Sequence, residues 1–258
     1  MIIPFNKYQG AGNDFIIIDN RSGIFNCGNS DLIRDLCNRR FGIGADGLIL
    51  ISGSRQFDYE MKYFNSDGFE GSMCGNGGRC SADFAIKAGI AGNPISFKAV
   101  DGIHYASSED NIIKLSMNDV SDSQLVNGNY FINTGSPHYV IFRKNIDEID
   151  VNDEGMKIRW AEEFAPGGTN VNYAEIKGDG IYVRTFERGV EEETLSCGTG
   201  VTASAIASVL ARHFDKNTVP VKTRGGNLSV SFKISGNNIS DIWLSGPATL
   251  VFKGEVEI

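Results

Sequence analysis

The sequence lacks the features that would point to nucleic acid or a membrane. Its 258 residues contain 24 lysine and arginine residues against 32 aspartate and glutamate residues, for a formal net charge of −8. We expect no nucleic-acid partner, because the phosphate backbone attracts basic surfaces. No run approaches the roughly 18 apolar residues of a membrane span. Residues 1–5 are too short for the apolar part of a signal peptide and resemble a strand, so we expect no membrane partner and a cytoplasmic location.

Cysteine and histidine are also scarce, and their spacing argues against two common uses. The five cysteines are odd in number and irregularly spaced, which is not typical of a disulfide framework. The spacing between Cys74 and Cys80 does not match the usual spacing of zinc ligands. The three histidines do not cluster with cysteines along the chain. We therefore expect no metal site.

Against this background one short motif occurs twice. Residues 74–77 are Cys-Gly-Asn-Gly and residues 197–200 are Cys-Gly-Thr-Gly, and each motif begins a helical pattern of small residues. A helix start exposes unpaired N–H groups and the positive end of the helix dipole, which stabilise a thiolate or a bound carboxylate. A single such cysteine is more often a small buried apolar residue. Two in matched settings predict a paired acid and base.

The repeat extends well beyond the motif. Cys74 and Cys197 are 123 residues apart, and the same separation holds for Gly12 and Gly135, each of which precedes an apolar run. Comparable strands, loops and turns flank both cysteines in the same order. A repeat of about half the chain indicates duplication into two similar domains.

Apolar runs and turn signals predict an α+β fold. Helices are expected at about 30–40 with Ser30 as N-cap, from Cys74 to about 87, at 153–163, and from Cys197 to about 213. Arg39 and Arg40 are expected to close the first helix. Strands are expected at 16–18, 48–51, 59–64, 112–117, 182–186, 228–234 and 248–252.

This content predicts two pseudo-symmetric domains, each a curved, mostly antiparallel sheet wrapped round a central helix (an α/β roll). We place the domains at residues 1–120, with Cys74, and 121–258, with Cys197. The tail of about 250–258 is a segment that could pack back on the first domain.

Eight motifs along the chain resemble those of the diaminopimelate epimerase family, a family of cofactor-independent isomerases of lysine and cell-wall synthesis. They are Gly10-Ala-Gly-Asn-Asp-Phe15, Gly42-Ile-Gly-Ala-Asp-Gly47, Phe64-Asn-Ser-Asp-Gly68, Cys74-Gly-Asn-Gly-Gly-Arg-Cys80, Gly135-Ser-Pro-His138, Asn170-Val-Asn172, Glu187-Arg-Gly189 and Cys197-Gly-Thr-Gly200. The resemblance implies a small amino-acid substrate, no cofactor, and a site between two domains.

The resemblance also implies a two-base mechanism for L,L-diaminopimelate. One cysteine, as thiolate, removes the Cα proton, and the other, as thiol, protonates the opposite face. Inverting a stereocentre does need groups on both faces, and identical thiols can exchange roles in the reverse reaction. His138 and Glu187 are expected to lie near the thiols and tune their protonation.

Carried over position by position, the resemblance assigns substrate contacts. The expected side-chain contacts are Asn13, Asn65, Asn172, Glu187 and Arg188, and the expected backbone donors are Gly75, Asn76, Gly198 and Thr199. On the residues alone, Asn13 could belong to a turn, Glu187 and Arg188 to a solvated pair, and His138 to the surface.

Two positions depart from the family pattern. Many members have asparagine where this chain has Ser136 and glutamine where it has Gly47, which puts recognition of the distal end of the substrate in doubt.

Two alternatives remain at this point. A proline or hydroxyproline racemase-like enzyme also uses two cysteines, but usually has histidine where this chain has Asn76. A thiol redox or binding module has no need of cysteines on two glycine-rich helix starts. A homodimer is one option that the sequence allows.

Overall fold

The computed structural model describes residues 1–258, and strands dominate it. Its helices are α1 (Ser30–Cys37), α2 (Gly75–Lys87), α3 (Val151–Arg159) and α4 (Gly198–Leu210), with short 3-10 helices at Ile146–Glu148 and Glu162–Phe164. The strands are β1 (Ile2–Gly10), β2 (Asn13–Asp19), β3 (Gly47–Ser52), β4 (Tyr59–Asn65), β5 (Ile95–Ala99), β6 (Gly102–Glu109), β7 (Ile112–Ser116), β8 (Ser123–Val126), β9 (Asn129–Asn133), β10 (Pro137–Phe142), β11 (Asn170–Lys177), β12 (Gly180–Glu187), β13 (Glu192–Thr194), β14 (Thr218–Thr223), β15 (Gly226–Ser235), β16 (Asn238–Pro247) and β17 (Thr249–Glu257).

The chain divides into two compact units. Unit 1 contains Met1–Leu115 together with Gly246–Ile258, and its strands pair in the order β17-β1-β2-β3-β4-β5-β6-β7. All neighbours are antiparallel except β2–β3 and β4–β5, which are parallel and are connected through α1 and α2.

Unit 2 contains Ser116–Ser245 and has the same plan. Its strands pair in the order β8-β9-β10-β11-β12-β14-β15-β16, with β13 added to the end of β12. The parallel pairs are again the third and fifth neighbouring pairs in the strand order, β10–β11 through α3 and β12–β14 through α4. The predicted duplication is therefore present in strand order, strand direction and helix placement.

Each sheet curves round one helix, as the predicted fold class requires. Helix α2 packs against β1, β2, β3, β4, β6 and β17, and α4 packs against β9, β10, β11, β12, β14 and β15. In unit 1, α1 covers the opposite face of the sheet, where Ile33 and Leu36 join a cluster with Ile16 and Leu48. Since both faces are covered, residues 15–18 of β2 are wholly buried, which explains their unbroken apolar run.

The seven predicted strands and four predicted helices are present, but some helix ends differ. Helix α1 is capped by Asn29, whose side chain accepts the N–H of Leu32, so the prediction that Ser30 is the N-cap was wrong. It ends at Cys37, so Arg39 and Arg40 lie in the following loop. Helix α3 ends at Arg159 rather than near 163, and α4 ends at Leu210. No helix is long and apolar enough to cross a membrane.

Candidate active site

The first candidate thiol caps helix α2. Cys74 has extended backbone angles (φ −102°, ψ 114°), and its Sγ accepts the N–H of Gly77 at 3.4 Å. No acidic residue lies in the first turn of α2, so the positive end of the helix faces the sulfur without a competing carboxylate. This setting stabilises a thiolate and leaves room for a second anion at the helix start.

Asn13 places an acceptor against this thiol. Its Oδ1 lies 3.5 Å from Cys74 Sγ and 3.4 Å from Asn76 Nδ2. The orientation of the Asn13 amide is set from its other end, because Nδ2 donates to Asp46 Oδ2 at 2.6 Å. The oxygen of Asn13 must therefore face Cys74, where it can accept the S–H of the neutral thiol.

Behind Asn13 lies a charged network that the motif analysis did not identify. Arg39 binds both Asp14 and Asp46 at 2.6 Å, and the buried Lys7 binds Asp14 at 2.7 Å. Burial alone would raise the pKa of Asp14, but the hydrogen bonds from Arg39 and Lys7 hold it well below its ordinary value. The network keeps Asp46 in place and so fixes Asn13. The sequence did hint at this network, because Asp14 belongs to the motif at residues 10–15 and Asp46 to the motif at residues 42–47.

Asn65 ends β4 at the loop that precedes Cys74. It is exposed, its backbone N–H donates to Phe69 O at 2.9 Å, and its side-chain oxygen lies over Gly71. The nearby Gly47 explains one departure from the family pattern. A Cβ at Gly47 would lie 2.5 Å from the ring of Tyr63, so this ring occupies the space that a glutamine would need.

The second candidate thiol occupies the N-cap position of α4 with almost the same backbone geometry, although its side chain makes no capping hydrogen bond. Cys197 has φ −112° and ψ 114°, and its carbonyl accepts the N–H of Val201 at 2.8 Å. Its Sγ lies 3.4 Å from the hydroxyl oxygen of Thr199, two residues into the helix. As in α2, the first turn contains no acidic residue.

His138 is connected to this thiol through Thr199. Its Nε2 lies 2.9 Å from Thr199 Oγ1, and its Nδ1 lies 3.1 Å from Asn172 Nδ2. Asn172 Nδ2 also donates to the carbonyl of Tyr139, and its Oδ1 accepts the hydroxyl of Thr185 at 2.9 Å. We assign the imidazole proton to Nε2, because Nδ1 must accept from the amide. Nε2 then donates to Thr199, whose own proton is available to Cys197.

Asn172, one of the predicted substrate contacts, has no exposed surface, and both ends of its amide are occupied within the protein, where it orients His138. Asn170, two residues earlier on β11, is also buried, with 2% of its surface exposed. It donates to Ser136 Oγ at 2.9 Å and accepts the backbone N–H of Arg188 at 2.8 Å.

Two further predicted residues lie at the end of β12 and directly after it. The exposed Arg188 reaches Ser136 Oγ with Nη2 at 3.4 Å, and Glu187 accepts the hydroxyl of Thr194 at 2.9 Å. Ser136, Asn170 and Arg188 therefore form one polar group at the edge of unit 2. Where many members of the family have asparagine, this chain has the hydroxyl of Ser136, which is hydrogen-bonded by Asn170 and by Arg188.

The surroundings of the two thiols are not equivalent, although the backbone is. In the register of β2 with β3, Phe15 pairs with Gly47, and in the register of β10 with β11, His138 pairs with Asn170. The position of His138 thus corresponds to an apolar ring in unit 1. The chain of contacts from the neutral His138 through Thr199 to Cys197 therefore has no counterpart in unit 1.

The burial of His138 predicts a pH effect on stability. Burial lowers its pKa to about 3 in the folded protein, against an ordinary value of 6.5. Between pH 6.5 and pH 3, His138 is therefore protonated in the unfolded chain but neutral in the folded protein. The free energy of unfolding falls as the pH drops below 6.5. Between pH 8 and pH 5 this single group should cost about 2 kcal/mol.

Urea unfolding of the wild type and of His138→Gln at both pH values measures this contribution. The wild type should lose about 2 kcal/mol more than the variant between the two pH values. His213→Gln is the matched control, because His213 is exposed and its removal should leave the wild-type pH dependence intact. A His138 variant with the same pH dependence as the wild type would contradict the neutral assignment.

Comparison with known proteins identifies close relatives over nearly the whole chain. The family model described as diaminopimelate epimerase matches residues 5–121 and 130–251. The chain is 47% identical over 249 residues to the diaminopimelate epimerase of Flavobacterium psychrophilum, covering 96% of this chain and 97% of that protein. It is 44% identical over 260 residues to the protein of the same name from Chlorobaculum tepidum, covering 97% and 100%.

Solved structures show the same fold at low identity. A phenazine biosynthesis protein of the PhzF family from Bacillus anthracis matches with a TM-score of 0.76 at 16% identity over all of both chains. A probable proline racemase from Agrobacterium radiobacter matches with a TM-score of 0.74 at 15% identity, covering 99% of this chain and 93% of that one. These likenesses concern the fold alone.

Proposed function

The chain belongs to the diaminopimelate epimerase family, and from that membership we propose that it interconverts L,L- and meso-2,6-diaminopimelate. The observation that carries the proposal is the pair of cysteine N-caps, Cys74 and Cys197, on two equivalent helices. The product would serve lysine and cell-wall synthesis. A cytoplasmic location fits this chemistry, because a reducing compartment keeps both thiols free.

The proposed reaction is a proton transfer at one carbon. The thiolate of one cysteine takes the Cα proton, and the electron pair of that C–H bond passes into the α-carboxylate as an enolate-like anion. The thiol of the other cysteine donates its proton to the opposite face, and becomes the thiolate. Inversion therefore exchanges the protonation of the two sulfurs and consumes no other reactant.

The enolate-like charge is the difficult part, and the helix starts are suited to it. Gly75 and Asn76 in α2, and Gly198 and Thr199 in α4, offer backbone N–H groups that no carboxylate of the first turn occupies. Such preorganised donors stabilise developing negative charge more strongly than water does. We assign the α-carboxylate to these groups.

The remaining assignments concern the rest of the substrate. Asn13, next to Cys74, is placed to meet the reacting end. Asn65 and Arg188 are exposed polar groups suited to the substrate's ammonium and carboxylate groups. Asn170 joins this set through Ser136. Glu187 is assigned to the substrate amine and to tuning of the thiols, as the family pattern implies.

Proton NMR in D2O tests the function directly. The reduced protein is incubated with L,L-diaminopimelate, and separately with L-proline and trans-4-hydroxy-L-proline. Loss of the α-proton signal together with appearance of the meso isomer, in the first sample alone, is the expected result. Exchange with a proline substrate would show that the substrate is proline or hydroxyproline instead. The absence of exchange in every sample would reject the proton-transfer function.

We also propose a homodimer, formed through β17. This strand pairs with β1 alone in unit 1, so its other edge is free, and Val251 and Phe252 are 55% and 47% exposed. A free edge with apolar side chains favours pairing with another chain.

Light scattering after size-exclusion chromatography checks the dimer. The wild type should elute at twice the 28.0 kDa of one chain, and Phe252→Glu should elute as a single chain. Phe41→Glu, at another exposed aromatic residue of unit 1, should remain dimeric. A wild-type monomer, or a dimeric Phe252→Glu, would remove β17 as the interface.

A further inference from the structure

Helix α2 contains a buried cation for which the proposed reaction has so far no use. Arg79 has no exposed surface, and it lies one turn after Cys74. Its Nη1 donates to Gly75 O at 3.2 Å and its Nη2 donates to Asn76 Oδ1 at 2.8 Å, while Nε has no hydrogen-bond partner. Arg79 forms no ion pair with any carboxylate.

This placement is electrostatically unfavourable by itself. A buried charge without a counter-charge is strongly destabilising, and the start of a helix already carries positive potential. Burial lowers the pKa of Arg79, and the groups that act in the opposite direction are Cys80 and Cys74. Asp83, one turn further along, is engaged by Lys87 at 2.7 Å. Cys80 and Cys74 are thus the ionisable groups that act on this cation.

Of the two thiols, Cys74 is the one whose surroundings favour a thiolate. Burial raises the pKa of Cys80 well above its ordinary range, despite the nearby Arg79. Cys74 is partly exposed and also accepts the N–H of Gly77. The charge of Arg79 therefore acts on Cys74.

The repeat shows that a cation is not required for the local structure. The position of Arg79 in α2 corresponds to that of Thr202 in α4, five residues after the cysteine. Thr202 Oγ1 donates to Gly198 O at 2.9 Å, as Arg79 Nη1 donates to Gly75 O. A neutral hydroxyl thus satisfies the first carbonyl of the helix in unit 2, and the charge is the feature peculiar to unit 1.

We propose that Arg79 is a positioning residue whose buried charge stabilises the thiolate of Cys74, a role that rests on the proposed two-thiol reaction. The same guanidinium orients Asn76, because Asn76 Oδ1 must face Nη2 and its Nδ2 must then face Asn13. Asn13 Oδ1 serves the neutral thiol, and Arg79 with the Gly77 N–H serves the anion. Cys74 is thereby supported in both protonation states that a reversible acid–base requires.

The test measures thiolate formation without substrate, so it does not depend on the epimerase assignment. In a Cys197→Ala background, the rate of alkylation of Cys74 by iodoacetamide is followed from pH 6 to pH 10 by mass spectrometry. Arg79→Gln should move the midpoint of this profile upward by about one pH unit and slow the reaction at pH 7 by about tenfold. Arg79→Lys, which keeps the charge, should stay within about threefold of the parent.

The matched control is Thr202→Val in a Cys74→Ala background. It removes the equivalent bond in α4 without changing charge, and the midpoint for Cys197 should stay within a few tenths of a pH unit. Arg79→Met replaces the glutamine variant if the latter does not fold. An unchanged Cys74 midpoint in whichever neutral variant folds would overturn the proposal. An unchanged midpoint, together with a raised KM for Arg79→Gln in protein that keeps both Cys74 and Cys197, would assign the charge to the substrate carboxylate and would equally overturn it.

Discussion

Replacement of either Cys74 or Cys197 by alanine is expected to lower kcat/KM for epimerisation by about 10³-fold or more. Each variant lacks one of the two proton-transfer groups, and a positioned acid or base contributes about 10² to 10⁴ to a rate. Inversion in a single-cysteine variant would need water to deliver the proton to the opposite face. The fold should remain, because alanine is tolerated at an N-cap position at a cost of about 1 kcal/mol.

The single variants also separate proton removal from inversion. With one thiol left, the enzyme should still exchange the α-proton of the stereoisomer whose proton faces that thiol. In D2O, one variant should therefore exchange the L,L isomer and the other the meso isomer, each without inversion. This complementary pattern is followed by NMR of both isomers with both variants.

Cys27→Ala is the control, since Cys27 is a partly exposed thiol outside both motifs. It should keep wild-type activity. Full epimerase activity in either Cys74→Ala or Cys197→Ala would exclude the two-base scheme. Exchange of both isomers by one variant would show that a single thiol reaches both faces.

The glycine-rich motifs allowed the two thiols to be placed from the sequence, because N-cap geometry is a local property of the chain. Cys74 and Cys197 have backbone angles within about ten degrees of one another, as expected from the same four-residue pattern. The duplication was visible for the same reason. The 123-residue separation of the motifs also separates the registers of β2–β3 and β10–β11.

The different contacts of Asn170 and Asn172 could not be predicted from the sequence. Both lie on one face of β11, because strand residues two apart point the same way. What each of them contacts depends on how far α4 extends over the strand, and that is set by packing. Asn172 Oδ1 lies against Gly200 in the first turn of α4, whereas Asn170 Oδ1 accepts the backbone N–H of Arg188. The relay through Thr199 was missed for the same reason, since it joins side chains 61 residues apart.

The final expected result concerns the first turn of α4, where Gly200→Ala should lower kcat/KM by about 10²-fold. A Cβ at Gly200 would lie 2.4 Å from Asn172 Oδ1 and 3.3 Å from His138 Cε1. Asn172 cannot yield, because its amide is bonded at both ends to buried groups. The first turn of α4 must therefore shift, carrying Cys197 and Thr199 with it, and a displacement of about 1 Å at a reacting group can cost about 10² in rate.

The repeat supplies the matched variant, Gly77→Ala in α2. There the new Cβ would lie 3.1 Å from Ile49 Cδ1 and 3.5 Å from the Cβ of Cys74. Ile49 presents the end of a flexible side chain, which can turn aside, and alanine favours a helix by about 1 kcal/mol over glycine. Gly77→Ala should thus keep activity within a few fold and lose little stability, whereas Gly200→Ala should lose about 1 to 3 kcal/mol by overpacking.

Steady-state epimerisation and urea unfolding of both variants decide the matter. Equal losses in the two variants would mean that the polar cluster around His138 is no more rigid than the apolar contact at Ile49. A clear excess at Gly200 would show that the hydrogen-bonded amide of Asn172 holds the helix start in place. The position of Cys197 would then depend on the buried Asn172, which is why a glycine is required above that asparagine.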